Sequence, residues 1–452
     1  MEKDTTIGSR RLADLFDAGT FAEVGAYIKR GDGKPSGATC GYGAIDGKLV
    51  YAFAQDADRE KGAFDLTAAK KLHMLYETAV RNGAPVVGIF DSIGAYVTDG
   101  ADAMAAYGSL LSDISRASGV IPQIAVIDGV CAGLSATAAA MFDLTVSVEG
   151  KAQLFVGAPF LTGQAGDPAT VAANGLGSVT ASDEADAAAK VRALLKLLPS
   201  NCASLPEEIG TDDANRSAAI EGLDMHGVIG EITDRGSFIE IGAGFGAGSV
   251  TGLCTLGGYP CGVVANDAAV DGGVLTADGA RKAAKLVSLC NCFGLPVLTL
   301  VDSEGVAVSA KEESAPLAAE LGKLAMVYAS ATVAKITAVT GRAYGAAFTL
   351  MGSKTLGADV VYALDGAEIS VMKPEAAVAF LWNGRISGST SRAELVKEWK
   401  ETEATPVRSA EKGAVDDILQ PADLRKYLCG AVNMLLCKDE AGLTRKHCNL
   451  PL

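Results

Sequence analysis

The chain has 452 residues, of which 49% are hydrophobic and 21% are charged, and it contains 53 glycines. This composition excludes a disordered or fibrous protein, and the length is enough for two or three domains with buried cores. The formal net charge of −15 argues against nucleic acid as the main partner, because phosphate binding needs clustered Lys and Arg. The first residues, Met1-Glu-Lys-Asp-Thr-Thr, lack the pattern of a signal peptide, so we expect a cytoplasmic protein.

The predicted elements alternate between short β-rich runs and helices, which is typical of an α/β fold. In the first part of the chain, strands are predicted at Leu49–Ala54, Val86–Phe90 and Ile124–Ile127, and helices at Leu66–Asn82 and Ala101–Ala117. Further along, strands are predicted at Cys261–Ala265 and Val297–Val301, and helices at Ala277–Cys290 and Leu317–Ala329. Two more helices are predicted near the end of the chain, at Ala393–Ala404 and Asp423–Leu436.

The second series of elements is a copy of the first. Gly83-Ala-Pro-Val, which leads to Asp91-Ser-Ile-Gly, recurs 211 positions later as Gly294-Leu-Pro-Val, which leads to Asp302-Ser-Glu-Gly. This period is far too long for a solenoid repeat, so each copy is predicted to be a complete domain. The polar, acidic segment 201–217 separates the copies, and we predict domains of residues 1–215 and 216–452.

Two apolar stretches, Val120–Phe142 and Ala329–Met351, have about the length that a bilayer requires. Each contains polar residues, such as Asp128 in the first and Arg342 in the second, and glycines at corresponding places. These features favour a buried strand, a tight turn and a buried helix over a membrane span.

The ten cysteines include no C-x-x-C pair and no histidine lies at zinc-ligand spacing, so we predict reduced, buried thiols and no metal. Cys290 and Cys292 form one close pair, but a spacing of two on a helix points their side chains apart. The three histidines are His73, His226 and His447. Because no G-x-S-x-G elbow accompanies them, a Ser-His-Asp hydrolase is disfavoured. We expect His73 to be structural and His447 to be exposed.

A pair of glycine turns carries the strongest chemical signal. Gly129-Val-Cys-Ala-Gly133 follows the first-copy strand, and Gly341-Arg-Ala-Tyr-Gly345 follows its counterpart in the second copy. Each turn leads into an alanine-rich helix, so its backbone N–H groups point beyond the strand and form a possible oxyanion site. The alternative interpretation is that small residues here only allow a helix and a strand to pack closely.

Several passages agree with one known family. They are 47–56 (Gly-Lys-Leu-Val-Tyr-Ala-Phe-Ala-Gln-Asp), 83–92 (Gly-Ala-Pro-Val-Val-Gly-Ile-Phe-Asp-Ser), 118–124, 343–345 with 353–354, 367–372, and the ending 445–452. Together they resemble the carboxyltransferase subunits of biotin-dependent acyl-CoA carboxylases and decarboxylases, the propionyl-CoA carboxylase β-subunit group. The resemblance covers nearly the full length of the chain.

The resemblance implies two tandem crotonase-like domains of the ββα superhelix type, the first for acyl-CoA and the second for biotin. It implies a hexamer whose active sites lie between the first domain of one subunit and the second domain of another. The expected substrate is a coenzyme A thioester, and the expected cofactor is biotin on a separate carrier protein. Expected partners are a biotin carboxyl carrier protein and either a biotin carboxylase or a membrane decarboxylase subunit.

The resemblance also assigns site residues. The thioester oxyanion hole maps to the backbone of Gly133 and Leu134, and the biotin oxyanion hole maps to Ala346 and Ala347. Glycine is familiar in the family at the positions of Leu134 and Ala346, and many relatives carry an aspartate that helps to select the acyl chain where this chain has Thr349. Further residues expected to line the substrate sites are Gly129, Ala132, Tyr344 and Gly345.

Three hypotheses of function follow. The first is a carboxyltransferase that moves a carboxyl group between carboxybiotin and the α-carbon of acetyl-CoA or propionyl-CoA, giving malonyl-CoA or methylmalonyl-CoA. The second is the carboxyltransferase subunit of a sodium-pumping acyl-CoA decarboxylase, which runs the same half-reaction in reverse. The third is a non-catalytic scaffold that organises active paralogues in a carboxylase complex.

Overall fold

The chain folds into two compact units in a computed structural model that describes residues 6–163, 166–210, 212–442, 449 and 451. The first unit is Met1–Leu205 and the second is Pro206–Leu452. Residues 206–215, which the sequence analysis assigns to the first domain, therefore lie in the second unit. Hydrogen bonds hold them there, because the Ile209 N–H donates to the Gly258 carbonyl over 2.8 Å and the Arg425 Nε donates to the Asp213 carbonyl over 3.0 Å.

The first unit contains eight strands and seven α-helices among its described residues. The strands are β1 (Ala22–Glu23), β2 (Ala38–Ile45), β3 (Lys48–Gln55), β4 (Val86–Ser92), β5 (Gln123–Ala132), β6 (Leu144–Val148), β7 (Gln153–Phe155) and β8 (Val179–Ala181). The helices are α1 (Ile7–Leu15), α2 (Leu66–Asn82), α3 (Ala101–Ala117), α4 (Leu134–Ala140), α5 (Pro159–Thr162), α6 (Pro168–Ala173) and α7 (Glu184–Leu197).

These strands form one sheet in the order β1-β2-β3-β4-β5-β6-β8, with β7 paired to β5 beyond the path. The pairs β1–β2 and β2–β3 are antiparallel, and all other pairs are parallel. The central parallel strands read as continuous apolar runs because both of their faces are buried.

The second unit repeats this plan. Its strands are β9 (Ile239–Glu240), β10 (Ser249–Leu256), β11 (Tyr259–Asn266), β12 (Val297–Ser303), β13 (Lys335–Tyr344), β14 (Val360–Leu364), β15 (Glu368–Ser370) and β16 (Asp417–Leu419). Its α-helices are α8 (Met225–Ile232), α9 (Ala277–Cys292), α10 (Ala310–Ser314), α11 (Leu317–Ser330), α12 (Ala346–Leu350), α13 (Pro374–Ala377), α14 (Arg392–Thr402), α15 (Pro406–Glu411) and α16 (Leu424–Leu435). The sheet order is β16-β14-β13-β12-β11-β10-β9, with β15 paired to β13, so it matches the first sheet pair by pair.

The repeated Gly-x-Pro-Val signal has a structural cause in both units. Gly83 ends α2 in the left-handed conformation, with φ 61°, and its N–H donates to carbonyls of the last helical turn. Gly294 follows α9 with φ 66°. Glycine adopts this conformation without a steric penalty, and the proline that follows cannot continue a helix, so the chain turns directly into β4 or β12.

The predicted α/β elements are confirmed, and the helices α2 and α3 begin and end at the predicted residues. The two apolar stretches form strand, turn and short helix, namely β5 with α4 and β13 with α12. Within the described ranges, no helix has the length and apolar character that crossing a membrane requires.

The cysteine prediction is partly wrong. Six cysteines are buried, as expected, namely Cys40, Cys131, Cys254, Cys261, Cys290 and Cys429. Cys202, Cys292 and Cys437 are exposed because they lie at helix ends or in connections. The opposite burial of Cys290 and Cys292 confirms that their side chains point apart.

Candidate active site

Each glycine turn joins the end of a central strand to a short helix through one residue with an unusual backbone conformation. Gly133 lies between β5 and α4 with φ 61° and ψ −125°. Gly345 lies between β13 and α12 with φ 58° and ψ −135°. This region of positive φ is open to glycine and costly for residues with a side chain. The second glycine of each Gly-x-x-x-Gly turn is therefore required by the backbone.

The N–H groups of these two glycines are already paired inside the fold. The Gly133 N–H donates to the Phe155 carbonyl over 2.9 Å, and the Gly345 N–H donates to the Ser370 carbonyl over 2.9 Å. The prediction of Gly133 as an oxyanion donor conflicts with this pairing, because one strong backbone hydrogen bond occupies its donor.

The next two N–H groups of each turn belong to the first residues of the helix. They are those of Leu134 and Ser135 in the first unit, and of Ala346 and Ala347 in the second. Within the described part of the chain, no hydrogen-bond acceptor is seen for any of these four groups. The first N–H groups of a helix have no intrahelical partner, so they remain available to a ligand.

The two positions where glycine is familiar in relatives tolerate their side chains. Among described residues other than glycine, positive φ occurs at Asp46, Glu60, Lys61 and Asp271, so Leu134 and Ala346 have negative φ. The Leu134 side chain packs against the core of the first unit. Ala346 is exposed. Both substitutions therefore leave the backbone of the turn unchanged.

The first glycine of each turn is required by an aspartate at the end of the neighbouring strand. A Cβ added at Gly129 would lie within 2.7 Å of the carboxylate atoms of Asp91. The same addition at Gly341 would lie within 2.6 Å of the carboxylate of Asp302. Each carboxylate accepts the N–H of the next residue of the turn, Val130 over 3.3 Å and Arg342 over 2.9 Å.

The Asp-Ser-x-Gly loops that follow β4 and β12 lie beside the turns. The Ser92 hydroxyl accepts the Gly94 N–H over 3.0 Å, and the Ser303 hydroxyl accepts the Gly305 N–H over 3.2 Å. Gly94 has φ 103°, and a Cβ added there would lie 3.4 Å from the Ala132 carbonyl oxygen. In the second unit a Cβ added at Gly305 would lie 3.6 Å from the Tyr344 carbonyl oxygen, so the contact between loop and turn is repeated.

A buried network of polar side chains supports the first turn. The Ser135 hydroxyl lies 2.7 Å from the Tyr107 hydroxyl and accepts from the Gln55 amide over 3.3 Å. Burial raises the pKa of Tyr107 to about 12, although hydrogen bonds to the hydroxyls of Ser135 and Ser92 oppose the shift. The phenol therefore stays neutral at physiological pH, which suits a positioning role.

Arg11, which the sequence analysis does not single out, fixes the first turn from outside. Its guanidinium lies 2.8 Å from a carboxylate oxygen of Asp91 and 2.6 Å from one of Asp128, and it donates to the Asp128 carbonyl over 2.7 Å. Lys151 and Glu184 complete the ionic cluster. Burial raises the pKa of Asp128, although Arg11 and Lys151 favour its charged form. No local pattern links a residue of α1 to a turn more than one hundred residues later, so only the fold identifies it.

The second turn carries its own ionic groups. Arg342 pairs with Asp302 over 3.2 Å and also with Glu304, which in turn pairs with Lys373. The predicted site residue Tyr344 donates to Glu368, and burial is the main reason why its pKa is raised. Thr349 is exposed on α12.

The described histidines are placed outside both turns. His73 Nδ1 lies 3.0 Å from each carboxylate oxygen of Asp113, and His226 Nε2 lies 3.1 Å from Glu240. His447 and most of the family-like ending 445–452 lie outside the described residues. Within the described ranges, no cluster of His, Cys, Asp and Glu has the geometry of a metal site.

The chain is similar to known proteins over almost all of its length. The carboxyl transferase domain model matches residues 3–450. The α-subunit of methylmalonyl-CoA decarboxylase from Veillonella parvula is 34% identical and is aligned over 98% of this chain and 92% of its own length. The β-chain of propionyl-CoA carboxylase from Roseobacter denitrificans is also 34% identical, over 98% of this chain and 93% of its own.

A solved structure agrees with the sequence relatives. The crystal structure of transcarboxylase 12S, a hexameric multienzyme core with methylmalonyl-CoA and methylmalonic acid bound, superposes with a TM-score of 0.95 at 32% identity. The match covers 99% of this chain and 93% of the transcarboxylase chain. It confirms the predicted pair of crotonase-like domains. The chain therefore belongs to the carboxyl transferase domain family and is an acyl-CoA carboxyltransferase.

Proposed function

We propose that the two glycine turns stabilise the two oxyanions of a biotin-dependent carboxyl transfer, in which a short acyl-CoA gains or loses a carboxyl group at its α-carbon. The observation that carries this proposal is the repeated pair of N–H groups without an acceptor, at Leu134 and Ser135 and again at Ala346 and Ala347. The reaction requires two such sites, because negative charge develops on the thioester oxygen and on the urea oxygen of biotin.

The resemblance assigns the first turn to the thioester and the second to biotin, and the fold is compatible with both assignments. Each turn is held by a hydrogen-bonded glycine and by an aspartate behind it, so its donors are fixed before the substrate binds. Fixed donors need no reorganisation during the reaction, and removing one typically costs about 100-fold to 1,000-fold in kcat. For the first turn we propose Leu134 and Ser135 as the donors.

Proline substitution tests the N–H groups directly. Leu134 and Ala346 are the first residues of their helices, where proline fits because its φ is helical and no N–H is needed. We expect Leu134→Pro and Ala346→Pro to fold and to lower kcat at least 100-fold for decarboxylation of methylmalonyl-CoA or malonyl-CoA with free biotin as acceptor. Gly133→Pro is unsuitable, because proline cannot adopt φ 61°.

Matched variants keep the N–H and change only the side chain. Leu134→Ala and Ala346→Gly should retain most of the activity if the backbone carries the chemistry. Wild-type turnover in both proline variants, with native circular dichroism, would reject the oxyanion assignment. Equal loss in Leu134→Ala and Leu134→Pro would instead attribute the effect to side-chain packing.

The physiological direction is a separate part of the proposal. The similar proteins include decarboxylase α-subunits and carboxylase β-chains at the same 34% identity. The two kinds of enzyme use the same half-reaction in opposite directions. We propose carboxylation of propionyl-CoA or acetyl-CoA as the main role of this chain. The decarboxylase role is the second candidate. Purification from native cells distinguishes them, since a biotin carboxylase should co-purify in the first case and a membrane decarboxylase subunit in the second.

We further propose that the chain forms a homo-hexamer and receives biotin on a separate carrier protein. Large apolar side chains are exposed in both units, including Phe160 at 86% and Phe380 at 82% relative accessibility. Their neighbours in sequence, Leu161 and Leu381, are exposed as well, and exposed apolar patches, unlike single side chains, mark interaction surfaces. Light scattering should give a hexameric mass for the wild type, and Phe160→Asp or Phe380→Asp should reduce it; a wild-type monomer would contradict the proposal.

A further inference from the structure

A lysine occupies a strained backbone position beside the first turn. Lys61 has φ 53° and ψ 37°, in the left-handed region, and it follows Glu60, which also has positive φ, at 50°. A residue with a side chain in this region costs about 1 kcal/mol or more relative to glycine. Such strain is more often found at functional sites than elsewhere.

The second unit has glycine at the position equivalent to Lys61. Its equivalent residue, Gly272, has φ 69° and ψ 20°, and its carbonyl accepts the Glu304 N–H over 3.0 Å. The Lys61 carbonyl accepts the Ile93 N–H over 3.2 Å in the same way. A Cβ added at Gly272 would lie 2.8 Å from the Glu304 side chain, so the second unit favours glycine here. The fold therefore requires a carbonyl at this position and does not require a lysine.

The Lys61 side chain makes no ion pair among the described residues that would offset the strain of its backbone. It is exposed, and within the described part of the chain it forms no ion pair, while the neighbouring Glu60 lies near Arg30 and Lys34. An unpaired ammonium group is notable in a protein whose formal net charge is −15. Its most direct use is attraction of an anion from solvent.

The position of Lys61 suits the tail of the substrate. Its loop follows β3, and it contacts the loop after β4 through Ile93; in turn, Gly94 lies beside the Ala132 carbonyl at the end of β5. The carboxyl ends of these three parallel strands share one edge of the sheet, where ligands of α/β sheets commonly bind. An acyl-CoA whose thioester lies at the first turn must leave its phosphate groups farther out at this edge.

We infer that Lys61 binds a phosphate group of the coenzyme A tail, so that a residue specific to the first unit helps to select CoA thioesters. This inference rests on the proposed role of the first turn as the thioester site. An ammonium group contributes to phosphate binding as a point charge, and its effect falls with ionic strength.

Equilibrium binding of coenzyme A and of pantetheine, which lacks the phosphate groups, tests the inference on the full-length protein. Calorimetry at low salt should give a dissociation constant for coenzyme A roughly fivefold higher for Lys61→Gly than for the wild type, with pantetheine unaffected. The thermal midpoint of Lys61→Gly should not fall, because glycine relieves the left-handed strain. Lys70→Gln, which removes an exposed charge from α2, serves as the control and should leave both affinities unchanged.

The possible results distinguish phosphate binding by Lys61 from thioester binding at the first turn. Equal coenzyme A affinity in wild type and Lys61→Gly would overturn the inference alone. A matching loss for pantetheine would also overturn it, because it would indicate a change in loop structure. No binding of coenzyme A to the wild type would contradict both the inference and the proposed thioester site.

Discussion

Gly129 and Asp91 approach each other so closely that a side chain does not fit at the glycine. A Cβ at Gly129 would lie within 2.7 Å of the carboxylate atoms of Asp91, whose oxygen also accepts the Val130 N–H over 3.3 Å. The same relationship links Gly341 to Asp302. An aspartate at the end of one strand therefore determines where the neighbouring strand turns, and this contact defines the position of the N–H groups beyond the turn.

We expect Gly129→Ala to displace Asp91 and to lower carboxyl-transfer activity at least tenfold, because the added methyl group must move the turn. The stability should also fall by roughly 2 kcal/mol, as for other overpacking changes in a buried site. Gly108→Ala is the control, since Gly108 lies in α3 with no atom near its added Cβ, and alanine favours a helix. Wild-type turnover in Gly129→Ala would show that the contact is dispensable.

Removal of Arg11 should destabilise the first unit through the carboxylates that it leaves behind. Asp128 is buried and Asp91 is largely buried, so Arg11→Gln leaves two poorly solvated charges and should cost roughly 3 kcal/mol in urea unfolding. The double variant Arg11→Gln with Asp128→Asn should recover part of this loss, because one unpaired charge is removed. A double variant that is less stable than Arg11→Gln would contradict the explanation.

Lys282 should make stability depend on alkaline pH. Its ammonium group donates to the Ser249 carbonyl over 2.7 Å, and burial lowers the pKa of this lysine from 10.5 to about 8. Between about pH 8 and pH 10.5 the folded state then holds fewer protons than the unfolded state, so the free energy of unfolding rises with pH through this group, by about 2–3 kcal/mol. Urea unfolding at pH 7.5 and at pH 10 measures the rise.

The variant Lys282→Met lacks this titration. The free energy of unfolding of the wild type minus that of the variant should therefore increase towards high pH. Lys70→Met reports the effect of removing one exposed charge. If wild type and Lys282→Met respond in parallel to pH, then Lys282 does not change its protonation in that range. Buried thiols also titrate at high pH, but they are common to all three proteins and cancel in the differences.

Thr349 provides a test of acyl selection. It is exposed on α12, two residues after Ala347, and by resemblance it stands where many relatives carry an aspartate. We expect Thr349→Asp to change the ratio of kcat/KM for propionyl-CoA and acetyl-CoA by roughly tenfold, the scale on which a pocket discriminates one methylene. Thr349→Ser keeps the hydroxyl and should keep the ratio. An unchanged ratio in Thr349→Asp would place the selecting residue elsewhere.

Local sequence patterns predicted the fold well because the duplication shows the pattern of each element twice. The alternation of apolar strands with helices predicted α2, α3, β4 and β12, and the glycine spacing predicted both turns. The division between the units, after Leu205, lies inside the polar segment 201–217, but polar composition alone does not show that residues 206–210 and 212–215 belong to the second unit; hydrogen bonds such as that of Ile209 show it.

The site was predicted less completely, because it depends on contacts between residues that are far apart in the sequence. Sequence reasoning assigned a donor role to Gly133, whose N–H is in fact paired to Phe155 through the contact of β5 with β7. It also missed Arg11, because an ion pair between residues eighty positions apart leaves no periodic signal. The strain at Lys61 became visible only from its backbone angles and from the glycine in the equivalent position.

Within the two turns, positive φ is confined to Gly133 and Gly345. The backbone geometry of each turn therefore depends on its glycine and does not depend on the side chain of the next residue. In the proposed mechanism the donor atoms at positions 134 and 346 belong to the main chain, and every amino acid except proline supplies them. If this proposal holds, a substitution at position 134 changes the shape of the thioester site, and one at position 346 changes the shape of the biotin site, while the N–H groups stay in place. Under the same proposal, a single substitution next to the reacting atoms can alter substrate choice without removing a hydrogen-bond donor.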